Sequence, residues 1–299
     1  MNAMIRQLLI VIAVFAGLGI PAAAADAASD CLLKAIARFD MGITDEGLIA
    51  IPVSLNTRPF RMLVDTGDYY SVISESAAKS LGLKPDHAGN FSLIGWRGSV
   101  INEFVDLEHF GFGPISRGNT QLMVSKEEMN SFDGLVGVDF LYYFDLDFDF
   151  AKAKLNLISP NHCPGNVVYW SKGEFGVVPF DFDFYHREIR LVVSLDGKSV
   201  GAMIDTGSNQ TVMSLEYAKY LFESKARGVK IDEKTKLKAL SFGSVTVENP
   251  NIDLVPDSQS VLLERPDVKM IIGLDVMRRL HAYIAFQEHK IYVTPATQY

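Results

Sequence analysis

The 299-residue chain repeats itself. Met62-Leu63-Val64-Asp65-Thr66-Gly67 returns as Ala202-Met203-Ile204-Asp205-Thr206-Gly207, with the two aspartates 140 positions apart. In each copy an apolar, strand-like run leads up to a carboxylate. A small hydroxyl residue and a glycine follow, so the carboxylate stands at the mouth of a core where glycine permits a tight turn. Two such carboxylates brought face to face share a proton and activate a water. The register continues on both sides at the same offset: Val53-Ser54-Leu55 falls on Val193-Ser194-Leu195, and Val72, Ser74 and Ala78 fall on Val212, Ser214 and Ala218. A second landmark, Leu135-Val136-Gly137-Val138-Asp139, is answered by Ile271-Ile272-Gly273-Leu274-Asp275. The repeat unit of about 120 residues is too long for a solenoid and the right size for two equivalent domains.

Within each copy the pattern is strand, turn, strand. The first has residues 49–55, a turn over Asn56-Thr57-Arg58-Pro59, and an apolar strand over 60–64. The second has residues 188–195, the strong hairpin signal Asp196-Gly197, and residues 200–204;. Short helices are expected over 74–81 and 214–222;. The copies differ in one place: Asp65 to Gly113 spans 48 positions, whereas Asp205 to Gly243 spans 38. The excess contains residues 91–101, which read as a β-hairpin tipped by Gly95-Trp96-Arg97-Gly98; the second half has instead the charged stretch 223–238. The strictly alternating Asp145-Leu146-Asp147-Phe148-Asp149-Phe150 predicts a strand with one face buried rather than a calcium loop, and Asp181-Phe182-Asp183-Phe184 reads the same way;.

Two Asp-Thr-Gly motifs in matching repeats resemble the active-site loops of the pepsin and retropepsin-like aspartic proteases. The resemblance implies a mainly β, two-lobed pepsin-like acid protease fold, produced by internal duplication, with the cleft between the lobes. It makes Asp65 and Asp205 the catalytic pair. Thr66 and Thr206 would bond across to the opposite loop, with Gly67, Gly207 and Ser208 completing the loops, and Gly137 and Gly273 would lie in segments crossing beneath them. One flap on the first lobe, carrying Gly95, Trp96, Arg97 and Gly98, is similar to the single-flap arrangement of pepsin-like enzymes, and Trp96 would cover the substrate. The alternative for Trp96 is a loop residue packed on its own lobe. No metal or organic cofactor is implied. In this family a hydroxyl after Asp-Thr-Gly can bond the catalytic carboxylate. Ser208 fits, but Asp68 departs from the pattern. A third carboxylate there shifts the pH optimum, selects basic residues or disables catalysis, unless it is exposed and turned to solvent.

The rest of the composition narrows partners and location. A formal net charge of −8 with no long Lys/Arg run argues against nucleic acid and anionic lipid as partners;. Arg6, the apolar stretch 8–20 and the small residues 21–25 form a signal peptide over 1–25, too short to favour retention as an anchor;. The expected organisation is then an N-terminal lobe with flap over 26–160, a linker over 161–173 and a C-terminal lobe over 174–299. The two cysteines, Cys31 and Cys163, would meet an oxidising space and form a disulfide, against the alternative of two unpaired thiols;. The six histidines show no metal-ligand spacing, and there is no Gly-x-Ser-x-Gly or phosphate loop;. The expected protein is a monomeric aspartic endopeptidase acting on peptides or proteins, bacterial and periplasmic or secreted, with no membrane attachment once the signal is cleaved. Its rival is a non-catalytic exported peptide-binding protein using the same cleft.

Overall fold

The computed structural model describes residues 31–95, 98–182, 188–224, 228–259 and 267–296. Residues 1–25, expected from the sequence to be a signal peptide, residues Trp96 and Arg97 of the expected flap tip, and Asp183 and Phe184 lie outside them.

The two halves fold with the same pairings. Strand Ile49–Leu55 runs antiparallel to Arg58–Val64, as Arg190–Leu195 does to Lys198–Ile204. Each strand that leads to an aspartate then takes a parallel neighbour, with Leu63 opposite Leu135 and Met203 opposite Ile271. Those neighbours lie antiparallel to Val72–Ser74 and Val212–Ser214. Short helices follow at Glu75–Ser80 and Leu215–Phe222, where the sequence predicts them. Each is capped by a serine hydroxyl that accepts from an amide in the first turn, Ser74 from Ala77 and Ser214 from Tyr217;.

The first turn is tighter than the sequence suggests. Only Asn56 and Thr57 form it, at φ 45° and 68°, and Arg58 and Pro59 already pair with Leu55 and Ser54. Asp196 and Gly197 do the same at φ 45° and 76°. Two consecutive left-handed residues give a turn whose twist matches that of the strands it joins.

The halves share one sheet. Strands Ala35–Asp40, Lys154–Ile158 and Asp145–Asp149 from the first half continue into Leu280–Ala285, Lys290–Pro295 and Gly176–Asp181 from the second. Leu146 sits opposite both Leu157 and Ile284, so the seam between halves is an ordinary strand pair.

This seam corrects one expectation. The alternating acidic strand does not leave its carboxylates in water; both faces are buried. Leu146 and Phe148 enter the main core, while the aspartates meet residues of the segment 161–173, among which Val168 and Trp170 pack onto the sheet. Asp145 accepts hydrogen bonds from His162 Nε2 at 2.6 Å and Tyr283 Oη at 3.0 Å. Asp147 accepts from His281 Nε2 at 2.6 Å, Asn156 Nδ2 at 2.8 Å and Tyr169 Oη at 2.5 Å. Trp170 stacks on His281 with ring centroids 4.0 Å apart. A carboxylate survives at this depth only when its oxygens are bonded in this way. The histidines that look scattered in sequence are thus partly gathered by the fold.

Cys31 and Cys163 form a disulfide, with Cα atoms 4.6 Å apart, which pins the same covering segment to the start of the described chain. The bridge closes a loop with a sequence separation of 132 residues. Replacing both cysteines by serine is expected to cost about 2–5 kcal/mol of stability. Urea denaturation of the variant beside the oxidised wild type measures it.

Candidate active site

Asp65 and Asp205 each follow the last residue of a buried strand, and each loop is held by the strand beside it. Asp65 N donates to Val136 O at 3.0 Å and Asp205 N to Ile272 O at 3.1 Å. The glycines that follow these partner strands are required by close approach. A side chain at Gly137 would meet the carbonyls of Asp68 and Tyr69, and one at Gly273 would meet those of Ser208 and Gln210;.

The two loops lock to each other by exchanging hydrogen bonds. Thr66 N donates to Thr206 Oγ1 and Thr206 N to Thr66 Oγ1, both at 3.1 Å. Thr66 Oγ1 donates onward to Ile204 O at 3.1 Å, and Thr206 Oγ1 to Val64 O at 2.7 Å. Both threonines are fully buried, so these four bonds have no water to compete with;. The lock fixes the aspartates as a pair, close enough for the charge of Asp65 to be felt at Asp205. Glycine at 67 and 207 is a matter of space: a Cβ at Gly67 would collide with the Asp205 carboxylate, and one at Gly207 with that of Asp65.

Loop amides hold both carboxylates: Asp65 Oδ1 accepts from those of Gly67 at 2.9 Å and Asp68 at 3.1 Å, and Asp205 Oδ1 accepts from that of Gly207 at 2.8 Å. Burial pushes Asp65 up to about 7, helped by the charge of Asp68. Burial, followed by the charge of Asp65, pushes Asp205 up to about 8. The pair therefore keeps a proton well above the ordinary carboxylate range, and it titrates as a unit.

A pH dependence of stability follows. A carboxyl whose folded pKa is raised contributes most below its unfolded value, and that contribution is lost as pH climbs through the folded value. Asp65→Asn removes the ionisation while an amide oxygen can still accept from Gly67 and Asp68. The melting temperature of the variant minus that of wild type is expected to grow by several degrees between about pH 4 and pH 8. Thermal melts across that range check the sign.

Two flanking residues differ from expectation. The Ser208 hydroxyl does not bond the Asp205 carboxylate; it donates to Gln210 O at 2.8 Å, turned away by the loop it closes. Asp68 is half-buried rather than turned to solvent, and it lines a cavity beside the loop. The flap ribbon pairs Leu93 with Ile101 and Ile94 with Val100, and it closes through Gly95 N to Ser99 O at 2.7 Å and Gly98 N to Gly95 O at 2.9 Å. Gly98 has φ 81°, the left-handed conformation its position at the tip requires;.

The sequence analysis missed a second tier of support. Ser71 Oγ donates to Asp139 Oδ1 at 2.6 Å and accepts from Gly137 N at 2.9 Å. In the other lobe Thr211 Oγ1 donates to Asp275 Oδ1 at 2.5 Å and accepts from Gly273 N at 3.0 Å. A hydroxyl thus joins the loop to the crossing segment in each lobe. The signal was present: Ser71 and Thr211 stand at the repeat offset, and both landmarks end in aspartate.

Comparisons with known proteins agree with this geometry. Residues 51–140 match the family model described as aspartyl protease. Solved structures of the same fold are numerous, with 420 matching chains. One is the crystal structure of aspartic proteinase from Irpex lacteus, at a TM-score of 0.54 and 14% identity, covering 88% of this chain and 97% of that one. No curated protein matches the sequence. The first lobe thus matches the aspartyl protease family model over residues 51–140, and the whole chain has the fold of a pepsin-like aspartic proteinase.

Proposed function

We propose that the protein is an aspartic endopeptidase that hydrolyses peptide bonds with a water activated between Asp65 and Asp205. Family and fold support peptidase function in general. The observation that carries the finer reading is the reciprocal threonine lock, which holds two buried carboxylates beside each other at the junction of the lobes. Such a pair has one proton to give and one place to receive one. The ionised carboxylate takes a proton from the water as it attacks the peptide carbonyl. The protonated partner donates to the oxygen that becomes negative, and a proton then passes to the departing nitrogen, which leaves two fragments and the pair ready to reload.

Both aspartates come from one chain, so a monomer suffices, and its partners are peptides or proteins. The Cys31–Cys163 bridge supports export to an oxidising compartment after removal of the signal, in the periplasm or outside the cell;.

The test is cleavage of a mixed peptide library by the mature protein between about pH 3 and pH 8, where the proton inventory of the pair changes. Fragments from internal bonds support the reading. Intact peptides from a folded protein remove it, and binding without turnover would leave a peptide-binding protein in its place.

A further inference from the structure

A groove of about 700 Å³ opens on the first lobe, lined by residues of the strands Glu103–Phe112 and Ile115–Ser125 and of the segment 138–143. No residue of either Asp-Thr-Gly motif or of the flap ribbon belongs to its lining. One wall is aromatic. Tyr142 and Tyr143 are 45% and 57% exposed, with ring centroids 5.9 Å apart. The Arg117 guanidinium lies 5.3 Å from the ring centre of Phe140 and 5.9 Å from that of Tyr143, a stack that steadies the Tyr143 ring despite its exposure;. The strands supply a polar wall. Gln121 pairs across them with Asp106, and its Nε2 donates to Asp106 Oδ1 at 3.0 Å. Asn119 and Glu108, two positions along the same strands, are exposed and line the groove as well. Thr120 also lines it; this side chain is buried, and its Oγ1 has no hydrogen-bond partner among the described residues.

We propose that this groove is a binding site for a short neutral oligosaccharide, separate from the Asp65/Asp205 pair and independent of the endopeptidase reading. The combination of surfaces points to that class. A sugar ring has flat C–H faces that lie against aromatic rings, and around its edge hydroxyls that both donate and accept. The groove answers both: tyrosine rings on one wall, and on the other carboxylate and amide oxygens that accept beside amide and guanidinium N–H groups that donate;. Other classes fit less well. Asp106, Glu108 and Asp139 line the groove against the single cation Arg117, so an anion meets like charge;. A cation would have to share the space with that guanidinium. A wholly apolar ligand would strip these polar groups of water and return no hydrogen bonds, which is costly. The buried Thr120 hydroxyl points the same way, because a hydroxyl left without a partner in the protein is the exception among buried polar groups and is satisfied by a hydroxyl-bearing ligand;. The volume is that of an ordinary small-molecule site and accommodates a ligand of a few sugar rings;.

The experiment titrates the full mature protein with maltotetraose, cellotetraose and the tetramer of N-acetylglucosamine, with calorimetry as the readout. At least one is expected to bind with a Kd of about 1 mM or tighter. Tyr143→Ala and Gln121→Ala should each weaken that binding by about fivefold or more. Tyr220→Ala, which removes an exposed tyrosine of the second lobe, should leave it unchanged. Asp65→Asn should leave it unchanged too, which keeps this site distinct from peptide cleavage. Both groove side chains are exposed, and circular dichroism checks that each variant folds; Gln121→Ala carries the test if Tyr143→Ala does not. For the saccharide that binds, a peptide bearing the same sugar tells where the ligand comes from. Tighter binding of the glycopeptide assigns the groove to sugar-bearing proteins and equal binding assigns it to free glycan chains; either result supports the site. No binding of any of the three at about 10 mM overturns the proposal, as does binding that both groove variants leave intact.

Discussion

Replacing Asp205 by asparagine is expected to reduce peptide cleavage by about 10³-fold or more, with the fold retained. Asparagine has the shape of aspartate, and its amide oxygen can still accept from Gly207 N, the bond that orients the native carboxylate. The threonine exchange that fixes the loops involves neither carboxylate, so the lobes stay docked. What is lost is the ability to hold a proton and pass it on. Asp65→Asn should cost as much, and the double variant no more than either single one, because two groups that act as a unit do not contribute additively. Kinetics beside circular dichroism separate chemistry from folding. Activity within tenfold of wild type in either variant would mean that the pair is not the catalyst.

The largest effect on stability is expected far from the cleft, at Asp147. This side chain is fully buried and accepts from His281, Asn156 and Tyr169, residues that belong to three different segments. Asp147→Ala strips all three donors of their acceptor inside the protein. The expected cost is about 3–5 kcal/mol, in the range for breaking a buried charged network. Asp181→Ala, at an exposed end of a strand, serves as the control and should stay within about 0.5 kcal/mol;. Chemical denaturation of both variants gives the comparison. A small effect at Asp147 would mean that the covering segment rearranges to bond these donors elsewhere.

Much of this fold was legible because the chain states it twice. A strand, an Asp-Thr-Gly turn, a second strand and a helix recur at a constant offset, and the structure repeats them pair for pair. The glycines at 137 and 273 stand at matching places in the two copies for the same reason. Features that depend on which surfaces meet were not. Alternation in Asp145–Asp149 told which residues share a face but not that a distant segment would cover the acidic one. Ser208 had the right chemistry for its expected bond, yet loop geometry gave its hydroxyl a nearer acceptor. Asp68 could be flagged as a departure, but its burial beside the flap is a product of tertiary packing. Ser71 and Thr211 stayed unread because a hydroxyl at a loop end is common, and only its partner across the loop gives it a task.

The two Asp-Thr-Gly loops answer each other bond for bond, but the structure above them does not. The ribbon formed by Leu93–Ile94 and Val100–Ile101 belongs to the first lobe, and among the described residues 223–238 the second lobe offers only an isolated bridge between Ser224 and Val229. A fully symmetric cleft would receive a peptide equally well whichever end entered first, since reversing the strand would present it with the same walls. A wall on one side removes that equivalence. The two orientations of a bound strand would then differ in energy, so that the heading of a peptide, from amino to carboxyl end, would count as well as its side chains.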